Sequence, residues 1–397
     1  MKIGITGPIL IKPFTEYLDT TAPADASGVK GLGGTAVNTL AQGLLERGHE
    51  LVLFTLDTEV KEELVLGGPR LRICMGPYRS SARRRAFDFF RTEREYIQHA
   101  IEREKPDIVH AHWTYEFALG ALASGVPTLV TVRDWAPLIW RLNCGNYRTF
   151  IYRGIRFLMD RQVFKQALYI SANSPYIQRM IKKKWAREVP LIPNSIEDGF
   201  FRHDEKIFDA ENPVLISINS GMGKGKNLTK LISAFLLIKE KIPNCQLRLI
   251  GDDFGKNGKA EKWASKRGLT KGIVFVGTQT RREIIAHLDD SALMIHPSLE
   301  ESFGNVLVEA MARRVPVLGG ENSGAVPWVF DHGRAGGLCN VRSPEDIARK
   351  TIEILTSREY WTNLSEAGHE RVRDAFNLSS VVDLCLAEYR RIIKNKI

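Results

Sequence analysis

The sequence predicts an α/β protein made of two doubly wound domains, each with a Rossmann-like parallel sheet. Two observations support this prediction. Short apolar runs alternate with stretches of helical periodicity along the chain, which is typical of parallel sheets covered by helices on both faces. The chain has 397 residues, of which 44% are hydrophobic, and is therefore long enough for two cores of ordinary size.

The two halves of the chain repeat this alternation. In the first half, strands are expected at residues 2–6, 51–55, 107–111, 128–131 and 168–172, with helices at 36–47 and 89–104. In the second half, strands are expected at 214–218, 246–250, 273–276, 291–295 and 315–318. Helices are expected there at 228–239, 259–266, 281–289, from 305 onward and at 344–355. We place the join at residues 192–197 and the polar stretch up to Pro213, which gives domains at 1–195 and 196–375 and a closing segment at 376–397.

The most informative segment runs from residue 296 to 314. An apolar strand ends at Pro297, the chain turns at Gly304, and helical periodicity begins at Asn305. Glu301 precedes the helix and Glu309 lies about one and a half turns inside it, so the helical part separates them by roughly 7 to 8 Å. The helix N-terminus between them can bind a phosphate, and two flanking hydroxyl acceptors suit a nucleotide sugar. The structural alternative is a pair of solvated glutamates that favour the helix dipole.

This segment resembles the E-x₇-E signature of the family-4 glycosyltransferases (glycosyl transferases group 1), which are retaining enzymes of the GT-B fold. The flanking Pro-Ser, Phe-Gly and Glu-Ala-Met-Ala match as well. The resemblance implies that Glu309 accepts the ribose hydroxyls and that Glu301 positions the sugar, with Phe303, Gly304 and Asn305 contributing to donor binding. It also implies an acceptor-side first domain, a nucleotide-sugar-binding second domain and a closing helix that crosses back to the first.

Three further landmarks resemble the same family. The loop before the first helix contains Gly33 and Gly34, which in the family face the donor diphosphate and the acceptor. His112 ends a strand and matches the histidine that contacts the transferred sugar, whereas His110 on the same face is the weaker candidate. Lys226 matches a lysine that neutralises the diphosphate. The structural alternatives are a flexible loop for the two glycines and a histidine that is satisfied in the core for His112.

The chain departs from the family pattern at several positions. Arg133 stands where the family often has another histidine, and Trp328 replaces a glutamate, where an anchoring aromatic role is favoured. The expected phosphate-binding arginine is missing and Lys224 is its candidate substitute, although a lysine lacks the bidentate fork of arginine. The same loop superficially resembles a Walker A motif, but its spacing is short and Asn227 stands where Ser or Thr should bind magnesium.

The charge and cysteine content of the chain indicate which partners and which cellular compartment to expect. Lys and Arg exceed Asp and Glu by ten, and the excess lies in three clusters with interleaved aromatics at residues 79–94, 141–165 and 182–187. Such clusters suit an anionic membrane surface, a solvated basic face being the alternative, whereas no motif supports nucleic-acid binding. Five scattered cysteines, no signal peptide pattern and no long apolar run favour a cytoplasmic protein, peripheral at most on the inner face of the membrane.

The resemblance implies a retaining enzyme, and we expect it to be metal-independent, of hexosyltransferase type and without a cofactor. It would move a sugar from a UDP- or GDP-sugar to a glycan or lipid-linked acceptor, in cell-surface polysaccharide synthesis. Catalysis would depend on His112, Glu301 and Lys226, and no D-x-D triplet is present to hold a metal ion. Two alternatives stay open: a nucleotide-sugar epimerase of the same fold, and a basic protein that binds nucleic acid or membrane without turnover.

Overall fold

The computed structural model describes residues 1–19, 28–142 and 147–395. The chain divides into two compact units, which we call the first unit (Met1–Ser195 with Leu378–Ile397) and the second unit (Ile196–Asn377). Each unit has its own sheet of mainly parallel strands flanked by helices. The predicted fold class, two Rossmann-like α/β domains, is therefore confirmed.

The sheet of the first unit has seven strands in the order β3-β4-β2-β1-β5-β6-β7. Their bounds are β1 (Lys2–Thr6), β2 (Glu50–Asp57), β3 (Leu64–Gly67), β4 (Leu71–Pro77), β5 (Ile108–His112), β6 (Thr128–Val132) and β7 (Tyr169–Ala172). Strand β3 pairs antiparallel with β4, so the expectation of a purely parallel sheet was wrong at this edge. Strands β3 and β4 were not predicted from the sequence, because both lie among charged residues and glycines and β3 has only four residues.

Within the described part of the chain, seven α-helices of the first unit precede the second unit in the sequence. They are α1 (Thr35–Glu46), α2 (Ala82–Phe87), α3 (Arg91–Glu104), α4 (Glu116–Ala123), α5 (Ala136–Leu142), α6 (Tyr147–Gln166) and α7 (Pro175–Trp185). Helix α3 begins two residues later than predicted because Phe89 and Phe90 both adopt left-handed backbone angles.

The sheet of the second unit has six strands, all parallel, in the order β10-β9-β8-β11-β12-β13. The strands are β8 (Val214–Ile218), β9 (Gln246–Ile250), β10 (Ile273–Gly277), β11 (Leu293–His296), β12 (Val317–Gly320) and β13 (Gly337–Cys339). The helices are α8 (Leu228–Lys241), α9 (Lys259–Ser265), α10 (Arg281–Asp289), α11 (Asn305–Ala312), α12 (Val326–Val329), α13 (Pro344–Thr356) and α14 (Arg358–Ala375).

The last helix, α15 (Leu378–Lys394), belongs to the first unit. It packs on α1 at Gly43, where an added Cβ atom would lie 2.8 Å from side-chain atoms of Leu378 and Val382. Its fully buried Tyr389 lies 2.6 Å from the Nδ1 atom of His110 in β5. These contacts fix the end of the chain to the core of the first unit.

Two general features complete the description of the fold. Within the described ranges, no helix combines the length and the apolar composition needed to cross a bilayer. Cys74, Cys245, Cys339 and Cys385 are buried free thiols, and Cys144 lies outside the described residues.

Each sheet reverses its strand order once, and this point locates the candidate sites. The reversal lies between β1 and β5 in the first unit and between β8 and β11 in the second. Open α/β sheets bind ligands outside the carboxyl ends of the strands that flank such a reversal. The chain segments there are the loops after Thr6 and His112 in the first unit, and the loops after Ile218 and His296 in the second.

Candidate functional site

The loops at the reversal of the second unit bring Lys226 and Glu301 into contact. The Nζ atom of Lys226 lies 2.7 Å from Oε1 of Glu301, and the same oxygen lies 3.0 Å from Nε2 of His296. Lys226 comes from the loop after β8, whereas His296 ends β11. Sequence reasoning brought the first two residues to one site but missed His296, whose only signal is its position at the carboxyl end of a strand.

The environment of Glu301 keeps its carboxylate ionised. Burial alone would raise the pKa of Glu301, but the hydrogen bond with His296 and the charge of Lys226 outweigh it and lower the pKa to about 2. The carboxylate is therefore a fixed negative charge at neutral pH that holds Lys226 in place. A second anion that approached Lys226 would compete with Glu301 for the ammonium group.

The loop after β12 supports the backbone at Glu301. The amide of Ala325 donates to the carbonyl oxygen of Glu301, and the hydroxyl of Ser323 donates to that of Ser298. Gly324 has a φ of +63°, and an added Cβ atom there would lie 2.2 Å from the carbonyl oxygen of Glu301. Only glycine allows this approach, so the loop fixes the height of Glu301 above the sheet.

The loop that carries Lys226 is also anchored. The side-chain amide of Asn227 donates to the carbonyl oxygens of Pro297 and Val341, at 3.1 and 2.7 Å. Asn227 therefore has a structural role in this chain, in contrast to the magnesium-binding hydroxyl of a Walker A loop. Lys224 lies two residues before Lys226, and its side chain is exposed.

Helix α11 begins at the turn after Glu301. Gly304, the N-cap residue, adopts a left-handed conformation with a φ of +93° and has no side chain that could cap the helix. The uncapped N-terminus and partly buried Asn305 leave a site of positive potential next to Lys226. The ring of Phe303, in contrast, packs in the core against Trp328 and Phe376, so only the backbone of Phe303 can face a ligand.

Trp328 replaces the glutamate of the family pattern and has the anchoring role that the sequence analysis favoured. Its ring lies 6.1 Å from that of Phe303 and 5.3 Å from that of Phe376. The guanidinium of Arg371 lies over the same ring at 5.7 Å. Trp328 therefore stabilises the core under the turn at Gly304 and is not a candidate ligand contact.

Glu309 lies on α11 and is partly buried. Burial raises its pKa to about 7, an increase that the charge of Arg281 reduces and that of Glu197 reinforces. The carboxyl group thus stays near its midpoint of ionisation at neutral pH, in contrast to the solvated glutamate of the structural alternative. A buried carboxyl group that is held on a rigid helix without an adjacent ion pair is a frequent sign of a functional site.

In the first unit, His112 at the end of β5 is held by Arg133. The Nε atom of Arg133 donates to Nδ1 of His112 at 3.0 Å, and its Nη1 atom donates to the side-chain oxygen of Asn194. His112 is fully buried, and its Nε2 atom has no hydrogen-bond partner among the described residues. Burial, His110 and Arg133 together place the pKa of His112 well below its usual range.

His110, two residues earlier, is part of the core. Its Nε2 atom lies 2.6 Å from the hydroxyl of Thr131, and its Nδ1 atom is equally close to the hydroxyl of Tyr389. Burial and the charge of Arg133 lower the pKa of His110 to about 3. Both ring nitrogens are occupied, so His110 links the sheet to α15, whereas His112 has a polar atom available.

The glycine loop lies against the loop that follows β1. Gly33 and Gly34 precede α1, and a Cβ atom on Gly34 would lie 2.1 Å from the carbonyl oxygen of Pro8. Gly7, the residue before Pro8, is in turn close to His112, because a Cβ atom on Gly7 would lie 3.2 Å from that of His112. The structure thus groups Gly33, Gly34 and His112 in the first unit, and Lys226, Glu301, Gly304 and Asn305 in the second.

Two family models match the chain. Residues 200–371 match the family described as Glycosyl transferases group 1, and residues 33–199 match Glycosyltransferase Family 4. The curated relatives include the N-acetyl-alpha-D-glucosaminyl L-malate synthase of Bacillus anthracis, which is 28% identical over 223 residues. That alignment covers 53% of this chain and 55% of the relative, so the chain spans about half the length of that enzyme.

Solved structures match the fold over its full length. The sucrose-phosphate synthase of Thermosynechococcus elongatus has a TM-score of 0.76 and 18% identity, and the match covers 100% of both chains. The Anabaena protein HepE, solved in complex with UDP and glucose, has a TM-score of 0.66 and 14% identity, with 98% of this chain and 99% of that chain covered. Together with the family models, these matches show that the chain belongs to the group 1 glycosyltransferases of family 4 and has the GT-B fold.

Proposed function

We propose that this chain transfers a sugar, with retention of anomeric configuration, from a UDP- or GDP-sugar to a glycan or lipid-linked acceptor. The observation that carries the proposal is the contact of Lys226 with Glu301 beside the uncapped N-terminus of α11. It combines a cation, a fixed anion and a helix N-terminus, which suits a charged diphosphate attached to a neutral sugar. The names of the relatives support a donor of this class and a role in the synthesis of polysaccharides or other glycoconjugates.

The second unit would bind the nucleotide. Lys226 would turn from Glu301 to the diphosphate, whose charge is larger, and exposed Lys224 would reach the same group in place of the missing arginine. The backbone at Gly304 and Asn305 would add donors from the helix N-terminus. Glu309 would accept hydrogen bonds from the ribose hydroxyls, which favours its ionised form.

The sugar would be positioned by two groups of opposite hydrogen-bonding type. Because Nδ1 of His112 accepts a hydrogen bond from Arg133, its Nε2 atom bears the proton and can donate to a sugar hydroxyl. Glu301, released by Lys226, would accept a hydrogen bond from another hydroxyl. Neither residue needs to exchange a proton with the substrate.

Catalysis would be electrostatic. The bond from the anomeric carbon of the sugar to the diphosphate oxygen breaks, and the oxygen of the acceptor hydroxyl bonds to the same carbon. In the transition state the diphosphate gains negative charge and the sugar becomes oxocarbenium-like, and the departing diphosphate takes the proton of the acceptor hydroxyl. Lys226 and the amides near Gly304, all in the second unit, would stabilise the departing charge most strongly when it is fully developed. We propose that these fixed groups, and not a metal ion, neutralise the leaving group.

The experiment is a turnover assay with a panel of UDP- and GDP-sugars. Release of nucleoside diphosphate that increases with an added glycan or lipid-linked acceptor supports a transferase. Conversion of the donor into its epimer without acceptor, measured by proton NMR, would identify the epimerase alternative. No turnover of any donor, with no nucleotide binding, would leave only a binding role and would contradict the proposal.

A further inference from the structure

Helix α6 exposes an apolar stripe on its outer face. Tyr147, Ile151, Ile155 and Leu158 recur at spacings of three and four residues, so they lie on one side of the helix. Tyr147 and Ile151 are 68% and 59% exposed. The opposite face of α6 is buried against the unit through Met159, Val163 and Phe164. An outer helix face is normally polar, so this stripe requires a partner.

Helix α2 extends the stripe into a groove. Phe87 at its end is 91% exposed, although phenylalanine is usually buried. A groove of about 940 Å³ lies between α2 and the first turns of α6 and is lined mainly by apolar side chains. Its charged lining residues are Arg83, Arg148 and Arg153, and no acidic side chain lines it. The surface is therefore apolar in the middle and positively charged around it.

Several other basic residues of the sequence clusters form ion pairs or ring contacts within the first unit. Arg79 pairs with Asp88 and Glu93 at 2.7 and 2.6 Å, and buried Arg85 lies over the ring of Tyr78 at 4.0 Å. These arginines support the base of α2, whereas Arg83 and Arg84 remain exposed. The cluster at 79–94 thus contributes less charge to the surface than its composition indicates.

Basic residues of the third cluster, at residues 182–187, also form contacts within the unit. Lys182 pairs with Glu188 at 2.7 Å, and the ammonium of Lys184 lies 4.4 Å from the ring centre of Phe157. Arg187 donates to carbonyl oxygens of the turn before β7, among them that of Ala167 at 2.8 Å. This cluster is therefore a weaker candidate for membrane contact than its composition indicates.

We propose that α2 and the outer face of α6 dock on the surface of an anionic phospholipid bilayer, with Phe87, Tyr147 and Ile151 inserted among the lipid headgroups. Charge complementarity identifies the occupant, because the exposed arginines match acidic lipid headgroups. The apolar stripe needs hydrocarbon, which a nucleic acid does not offer. Interfacial helices of peripheral proteins combine these two elements, since neither one alone gives stable attachment.

The same surface is coupled to the end of β5. Asp160 of α6 accepts a hydrogen bond from Thr114 at 2.7 Å, and Arg156 of α6 pairs with Glu116 at 2.9 Å. Thr114 and Glu116 lie two and four residues after His112 in the sequence, and α2 follows the carboxyl end of β4. Docking would therefore place the carboxyl edge of this sheet next to the lipid. For the acceptor, this consequence rests on the proposed function, whereas the docking itself does not.

The test is co-sedimentation of the full chain with vesicles of phosphatidylcholine, with or without phosphatidylglycerol. One double variant, Phe87→Ser with Ile151→Ser, removes the apolar insertion, and a second, Arg83→Gln with Arg84→Gln, removes charge. Leu168→Ser is the apolar control, because Leu168 is 80% exposed elsewhere on the same unit. Lys182→Gln with Lys183→Gln is the charge control. Thermal melting verifies that each variant is folded.

We expect binding to vesicles with phosphatidylglycerol only, and a loss on the order of tenfold or more in each test variant but in neither control. Salt at about 1 M should weaken binding, because the Debye length falls to about 3 Å. Wild-type protein that ignores anionic vesicles at low salt would overturn the proposal, as would a dimer that only the apolar variant abolishes. Nucleotide release from a soluble donor should be unchanged in all variants, which separates failure of docking from failure of the transferase proposal.

Discussion

The Nε atom of Arg133 lies 3.0 Å from the Nδ1 atom of His112. A guanidinium group can only donate, so Nδ1 is the acceptor and the single ring proton is on Nε2. Protonation of His112 would place a second N–H group against Arg133, and burial adds to this cost. The pair therefore holds His112 as a neutral donor, which suits the positioning of a sugar hydroxyl and does not suit proton transfer.

We expect Arg133→Met to make turnover dependent on pH. Burial is the main cause of the low pKa of His112 and remains in the variant, but loss of the guanidinium charge removes one contribution, so the pKa should rise. The value of kcat/KM should therefore begin to fall at a higher pH in the variant than in the wild type as the pH is lowered. Nitrogen NMR of the imidazole should show the Nε2–H tautomer in the wild type and a mixture of tautomers in the variant.

Arg133→Lys serves as the matched control, because it keeps a positive charge near the ring but lacks the planar donor. We expect it to keep the pKa of His112 low while weakening the preference for one tautomer. An identical NMR spectrum and pH profile in wild type and Arg133→Met would show that Arg133 does not position His112.

Replacing Lys226 with alanine should reduce turnover more than donor binding. The leaving diphosphate needs most stabilisation in the transition state, so we expect kcat to fall roughly 100-fold, with a smaller change in KM. Lys224→Ala is the comparison variant, because Lys224 is an exposed candidate ligand of the same diphosphate but, in the described part of the chain, forms no hydrogen bond with Glu301 or His296. We expect it to weaken donor binding with a smaller effect on kcat. If both substitutions lowered kcat equally, Lys226 would contribute no more to turnover than Lys224, and its contact with Glu301 would not mark it as the catalytic lysine.

The account also predicts that turnover persists in EDTA. Lys226 and the N-terminus of α11 would stabilise the diphosphate without a divalent ion. The measurement is nucleotide release by enzyme dialysed against EDTA, before and after addition of magnesium. Activity that disappears on dialysis and returns with magnesium would refute the metal-independent mechanism.

Glu309 should lower the stability of the folded chain at alkaline pH. Its pKa of about 7 in the folded state exceeds the ordinary value of 4.5, so the folded state binds the proton more tightly than the unfolded state. The free energy of unfolding should therefore decrease as the pH rises from about 4.5 to about 7, and stay lower above it. Glu309→Gln should remove this loss and stabilise the protein by about 1 to 3 kcal/mol at pH 8, measured by urea unfolding.

At pH 4, where Glu309 is protonated in both states, the two proteins should differ little in the free energy of unfolding. A Glu309→Gln variant that is less stable than the wild type at pH 8 would show that the carboxylate is stabilised by its surroundings. That outcome would remove the argument that burial holds Glu309 near its midpoint of ionisation.

The sequence predicted the strands that are buried on both faces, such as β1 and β8, because their continuous apolar runs are unambiguous. It missed β3, an antiparallel edge strand of four residues, because its pattern is too short to distinguish from a loop. The sequence motifs identified Glu301 and Lys226 as candidate site residues. Their contact with each other, and the contact of His296 with Glu301, could not be predicted, because they form only where the ends of β8 and β11 meet in the folded sheet. The surface clusters were overestimated because pairing, as of Arg79 with Glu93, is invisible in composition.

The most direct test of the central claim is calorimetric titration of UDP and of GDP into the wild type and into Glu309→Ala. We expect the wild type to bind one of the two nucleotides and the folded variant to bind it roughly ten- to a hundredfold more weakly, because a hydrogen bond to a charged group is lost. Failure of both nucleotides to bind the wild type would refute nucleotide binding by this chain, and equal affinity in a folded Glu309→Ala variant would refute the role of Glu309.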